Sequence, residues 1–369
     1  MTDYKPVLKK SSLGTNYGKF KVRKDVYIYI PIINDKVISK SLNLYNPSNK
    51  IKRIYKKLIN NLINISIKLI LFNKKEKLEL DNIYSNLFNK IDGFKYVSIY
   101  TGTPGNTQKS TIQLMDSDGE ILGFCKIPLN NKKSYECIKN EYNALLKINE
   151  YQFKYTIVPK ILCKDFNYDI FVQSTKKELM SVNGVLDSNI LNSLYEISDI
   201  ESISQKYVCT ELYNNAIRVT ECKSKNLDRV RNKIIKYINE KKYNDIIISL
   251  SHQDFTSWNI KRYREKTYIF DWEFSKKSIV YFDIIHFVYF EYILVEKMKE
   301  DLIIEKILYD KYIKEFKYKL NISESISDMF IFYLIELIYN YLEMNEFNLK
   351  SINENYIINN SINILEKLL

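Results

Sequence analysis

Between Ser251 and Phe287 the chain holds both of its histidines, both of its tryptophans and three aspartates, set between apolar runs. Asp254 stands two residues after His252, Asn259 five after Asp254, and Asp271 twelve after Asn259. The run Ile246-Ile247-Ile248 leads into this group; a charged turn, Arg262 to Lys266, precedes a second run, Tyr268-Ile269-Phe270. Short apolar runs bounded by turn residues read as strands, so a β-hairpin with polar side chains at its mouths is expected. Such a hairpin would bring Asp254, Asn259 and Asp271 together. One carboxylate can then orient a hydroxyl, while an amide oxygen and the other carboxylate supply hard oxygen ligands for Mg²⁺. Any one of these residues alone is an ordinary turn or cap residue; the joint order carries the reading.

The series His252-x-Asp254-x-x-x-x-Asn259 followed by Asp271 resembles the catalytic signature of the aminoglycoside phosphotransferase and choline kinase group, relatives of the protein kinases. Asp271-Trp272-Glu273 stands where a protein kinase has Asp-Phe-Gly, and Asp283 and His286 in FDIIHF extend the likeness. The resemblance implies an α+β, bilobal protein-kinase-like fold. Residues 1–92 would form an N-terminal extension, 93–175 a small antiparallel-sheet N-lobe, and 176–369 a mainly helical C-lobe. It also implies ATP as donor, lying between the lobes, with Asn259 and Asp271 on Mg²⁺ and Asp254 accepting or orienting the acceptor hydroxyl. His252 is expected to hold the loop by hydrogen bonds, since Asp254 already fills the acid–base role. Asp283 is expected to act as a structural acceptor; Glu273 sits near the metal or in a plain salt bridge.

The elements that must position these groups lie upstream. Tyr96 to Tyr100, Thr111 to Met115 and Ile121 to Ile127 read as a three-strand meander, with Gly102 and Gly105 in its first loop. A glycine-bearing loop lets backbone N–H groups approach phosphates closely, although a loop of this kind is usually only a hairpin. In the kinase likeness Lys126, on the third strand, falls where the lysine holding the α- and β-phosphates lies. Tyr135 to Asn149 reads as a helix; Glu141 near its middle is the expected partner of Lys126, with Glu136 competing. Val158 to Leu162 and Ile170 to Ser174 read as further strands. The second would place the main chain around Gln173 and Thr175 against the adenine edge. Leu186 to Ser198 and Leu227 to Asn239 carry helical spacing, as does most of the chain after Ile284.

Composition narrows the classes. A length of 369 residues suits two or three domains, and 46% apolar with 27% charged residues is ordinary for a folded chain. The formal charge of +12 suits an anionic ligand, but the lysines are spread along the chain and no nucleic-acid motif accompanies them. Five cysteines without C-x-x-C spacing, beside two histidines, argue against zinc and against a disulfide framework. A reducing, cytoplasmic setting is expected, because neither a signal peptide nor a long apolar span is present. Ile51 to Phe72 reads as an amphipathic basic helix, lying on a membrane or partner or packed on the next domain, and Glu76 to Ile91 as a second helix.

The acceptor stays open in the sequence. The resemblance admits aminoglycosides, choline or ethanolamine, sugars and glycan intermediates. Glu291, Glu296, Glu300 and Asp301 could line a pocket for a cationic ligand, whereas the surroundings of HQDFTSWN resemble members associated with sugars and surface glycans. A sugar or glycan hydroxyl is favoured. The intact set of Lys126, Asp254, Asn259 and Asp271 speaks against a catalytically silent scaffold, and the lack of an Ala-Pro-Glu element speaks against a protein kinase.

Overall fold

The computed structural model of the chain describes residues 7–42, 44, 74–129, 132–165, 170–348 and 354–369. The helix expected over 51–72 lies outside them. The chain divides into two compact units, residues 1–149 with 159–177, and residues 150–158 with 178–369.

The first unit is built on an eight-stranded antiparallel sheet in the order β3-β1-β2-β4-β5-β6-β9-β8. Its strands are β1 (Leu8–Arg23), β2 (Val26–Pro31), β3 (Lys74–Leu80), β4 (Tyr96–Tyr100), β5 (Lys109–Met115), β6 (Ile121–Pro128), β8 (Ile161–Asp165) and β9 (Ile170–Ser174). The short β7 (Thr156–Ile157) belongs to the second unit. Tyr17, Leu78, Val97, Ile99, Ile112, Leu114, Cys125 and Val172 form one buried cluster with Leu87 and Phe88 of the helix Asn82–Phe88. Ile28 and Ile30 form a second with Ile38 and Leu42 of the helix Asp35–Leu42. Each such side chain contributes about 1.5–3 kcal/mol by leaving water.

Two expectations change here. Glu76 to Ile91 is a strand followed by a shorter helix. Leu78 and Leu80 alternate with charged residues at the period of a strand, and the Asp81 carboxylate accepts from Ile83 N at 3.1 Å to start the helix only there. Of the strand expected over Val158 to Leu162, only Ile161 and Leu162 are realised, in β8; Val158 to Lys160 link it to β7, with Pro159 supplying no N–H for a ladder.

Gly102 closes β4 with φ of +74°, and a Cβ there would lie 1.9 Å from the Lys109 carbonyl oxygen. Gly102→Ala is therefore expected to destabilise the first unit by about 1–3 kcal/mol, read as a lower melting temperature. An unchanged melting temperature would mean that the loop relaxes freely.

The second unit carries two small sheets. One runs β10 (Met180–Ser181), β13 (Ile260–Tyr263), β14 (Lys266–Ile269), β7; the other runs β11 (Ile203–Lys206), β12 (Asp245–Ser251), β15 (Lys276–Ile279). The rest is mainly helical. Helix Ile326–Met344 is buried around most of its circumference, as its near-continuous apolar sequence requires. The helix expected over Leu227 to Asn239 is two pieces, Lys225–Asp228 and Arg231–Lys241. Among the described residues no helix is long and apolar enough to cross a membrane.

Candidate active site

β12 ends at Ser251, and the chain turns sharply, with buried Gln253 at φ of +66°. Asp283, at the start of helix Phe282–Phe290, holds that turn. Its Oδ1 accepts from Ser251 Oγ at 2.8 Å and Gln253 N at 3.0 Å, and its Oδ2 accepts from His252 N at 2.7 Å. A carboxylate receiving three donors offsets the strain of a left-handed non-glycine residue.

His252 is fully buried and bridges two segments. Its Nδ1 accepts from Asp254 N at 3.3 Å, which leaves the proton on Nε2, 2.9 Å from Phe270 O. Buried Trp272 packs on the same ring at 4.6 Å between centroids and anchors itself by Nε1 on Ile269 O. The histidine is thus a brace.

Asn259 Nδ2 donates to Asp254 Oδ2 at 2.7 Å and to Asp254 O at 3.0 Å. With its amide nitrogen committed to Asp254, Asn259 keeps its Oδ1 as a hard oxygen available to a cation. Asn259 O in turn accepts from Phe270 N, the residue before Asp271. Asp271 is left-handed at φ of +70°, and its carboxylate and that of Glu273 offer oxygens within 4.8 Å of each other. Two carboxylates and an amide oxygen are the ligand chemistry Mg²⁺ takes.

The expected pairing of the two apolar runs is corrected by this structure. Ile246 to Ile248 lie in β12, between β11 and β15, whereas the hairpin joins β13 to β14. Asp254, Asn259 and Asp271 are linked through the bonds of His252 and Asn259 to Phe270.

In the first unit, Lys126 Nζ lies 2.8 Å from Glu141 Oε1 and 2.7 Å from Oε2, and both side chains are buried. Glu136 is exposed and pairs with Lys132 one turn away. Burying two charges is worthwhile only where they meet in good geometry, so this pair fixes the direction of the lysine. Gln173 is buried, its side-chain nitrogen 3.5 Å from Glu141 Oε1. Its strand is paired on both sides, to Phe124 of β6 and Ile161 of β8. The main chain at Gln173 therefore lies within the sheet, and Ser174 N beyond it donates to Lys160 O at 2.7 Å. Gly105 lies in the β4–β5 loop at φ of +157°, with nothing within 4 Å of a Cβ placed there.

The structure adds residues that spacing did not single out. Gln253 Oε1 accepts from Asn340 Nδ2 at 2.8 Å, and Asn340 Oδ1 accepts from Lys276 Nζ at 2.7 Å. Lys276 also pairs with Glu336, whose carboxyl is pushed upward by burial against the pull of Lys276 and Ser278. Asn340 lies 87 residues from Gln253, so no local pattern announces it. His286 was visible as one of two histidines, and its contacts are described below.

No family model and no curated relative matches the chain. Among solved structures, a thermostable variant of aminoglycoside phosphotransferase APH(4)-Ia, in complex with ADP and hygromycin B, is similar over 78% of this chain and 99% of its own, at 8% identity with a TM-score of 0.50. The choline kinase of Streptococcus pneumoniae is similar over 78% of this chain and 96% of its own, at 11% identity with a TM-score of 0.45. Plasmodium vivax ethanolamine kinase is similar over 88% and 94%, at 15% identity with a TM-score of 0.45. The first of these likenesses shows the fold. It is the α+β, protein-kinase-like fold found in aminoglycoside phosphotransferases.

Proposed function

We propose that the protein is an ATP-dependent phosphotransferase that moves the γ-phosphoryl group to a hydroxyl of a small molecule, a sugar or glycan intermediate. The observation that carries this is the Asp254 carboxylate held by Asn259, beside a backbone route to Asp271. Asp254 orients the acceptor hydroxyl and takes its proton as the new oxygen–phosphorus bond forms and the bond to the β-phosphate oxygen breaks, releasing ADP. Lys126, aimed by Glu141, holds the donor phosphates, and the main chain of the Gly102–Gly105 loop covers them. Gln173 supports Glu141. Asn259 and Asp271, with Glu273 beside them, would hold Mg²⁺, which when bound would supply charge neutralisation on the phosphate oxygens. Little covalent work falls to the protein; positioning and charge stabilisation supply the rate.

Three of the four acidic residues that would suit a cationic acceptor already have partners, while Glu296 is exposed. Glu300 and Asp301 pair with Lys367 at 2.9 and 2.8 Å, and buried Glu291 accepts from Ser257 Oγ. That supports a sugar or glycan hydroxyl over an aminoglycoside or choline.

Mg²⁺–ATP at about 100 times its dissociation constant is expected to stabilise the protein by about 2.7 kcal/mol. The melting temperature of the wild type should rise accordingly, and that of Asp271→Ala should not. If nucleotide moves neither, the reading fails. ATP consumption over a panel of sugars, glycans, amino sugars and choline then identifies the acceptor.

A further inference from the structure

We propose that His286 is a positioning residue for Asp254, kept in one tautomer by Tyr333; this deepens the phosphotransfer reading and rests on it. The His286 side chain is 3% exposed, and its Nε2 lies 3.6 Å from Asp254 Oδ1. That nitrogen has no hydrogen-bond partner among the described residues. The ring is clamped by Phe290 at 4.0 Å and Phe282 at 5.4 Å between centroids, both near-parallel. A buried polar atom left unsatisfied costs about 1–3 kcal/mol. Here it is aimed at the carboxylate that the chemistry needs.

Tyr333 sets the proton. Its hydroxyl lies 3.1 Å from His286 Nδ1, and burial pushes the phenol well above its ordinary value, so it stays protonated. Donating to Nδ1, it leaves the imidazole N–H on Nε2, facing Asp254. Asn259 Nδ2 already donates to the other oxygen, Oδ2, at 2.7 Å. Two donors, one on each oxygen, fix the rotation of the carboxylate and leave lone pairs on both for the incoming hydroxyl. A separation of 3.6 Å is longer than a hydrogen bond, and such contacts in ligand-free active sites commonly tighten once substrate binds.

The chain has two histidines, so nitrogen NMR of its imidazoles in the full-length protein reads the contact directly. His286→Gln assigns the two signals. The expected result is a proton on His286 Nε2 with Nδ1 accepting from Tyr333, a shift of its Nε2 signal in Asp254→Asn, and loss of the single tautomer in Tyr333→Phe. Kinetics with Mg²⁺–ATP, using the acceptor found by the panel or water where none is found, complete the test. His286→Phe should lower kcat about 10–100-fold with KM for ATP unchanged, the range for partners that orient a reacting group, and His286→Gln, which keeps an N–H donor, should recover part of it. A proton on Nδ1, an Nε2 signal indifferent to Asp254→Asn, or wild-type kcat in His286→Phe would each overturn the inference alone. Should His286→Phe fail to fold, the NMR comparison still decides. Equal ATP consumption by wild type and Asp254→Ala would remove the phosphotransfer reading, and the inference with it.

Discussion

Asp254→Ala is expected to lower turnover by about 10²–10⁴-fold, the contribution typical of a positioned proton acceptor. Nucleotide binding should survive, because the substitution leaves the surrounding loop intact. Asp283 grips that loop through Ser251 Oγ, His252 N and Gln253 N, none of which involves the Asp254 side chain. Asn259 Nδ2 keeps a second acceptor in the Asp254 carbonyl at 3.0 Å. The decisive comparison is kcat against the melting-temperature rise produced by Mg²⁺–ATP in the same variant. Loss of the first with retention of the second assigns Asp254 to chemistry. Unchanged turnover would strip it of that role.

The second large effect is on stability. Glu141 is wholly buried and Lys126 nearly so, and the two meet at 2.7 Å. Removing one partner of a buried pair strands the other charge in a low dielectric, at a cost of about 3–5 kcal/mol. Lys126→Ala and Glu141→Ala should each melt roughly 6–20 °C lower, taking about 2–4 °C per kcal/mol for a unit of this size. Replacing both partners by apolar groups of similar volume, as in Lys126→Met with Glu141→Leu, should restore much of that stability, since desolvation of the pair then disappears. The same double variant should still lack turnover. Stability and function are thereby separated: single variants that melt like the wild type would show that the pair is solvated.

The spacing of Asp254, Asn259 and Asp271 was legible because those groups are close in the chain and their order is set by one short loop. The choice of Glu141 over Glu136 was also within reach. Glu141 falls on the stripe formed by Cys137, Ile138, Ala144, Leu145 and Ile148, all buried, and a carboxylate amid such residues needs a buried cation. The first ninety residues were harder. β1 is polar along most of its length, and its placement between β3 and β2 rests on ladder bonds to distant strands rather than on any local alternation. The hairpin misreading has the same origin: apolar runs indicate strands but do not name their partners.

The order of Asp254, Asn259 and Asp271 was in the sequence, and the resemblance it carries implied the α+β kinase-like fold, the donor chemistry and the candidates Lys126 and Glu141. The brace around them comes from packing. Asn340 reaches the loop, and Tyr333 reaches His286, from helix Ile326–Met344, where almost every face is buried and the sequence cannot say which polar group turns toward Gln253 or His286. Side-chain direction in such a helix is fixed by the neighbours it packs against, and those neighbours lie tens of residues away. The segment from His252 to Asp271 therefore carries the candidate groups, and helix Ile326–Met344 supplies polar partners to Gln253 and His286.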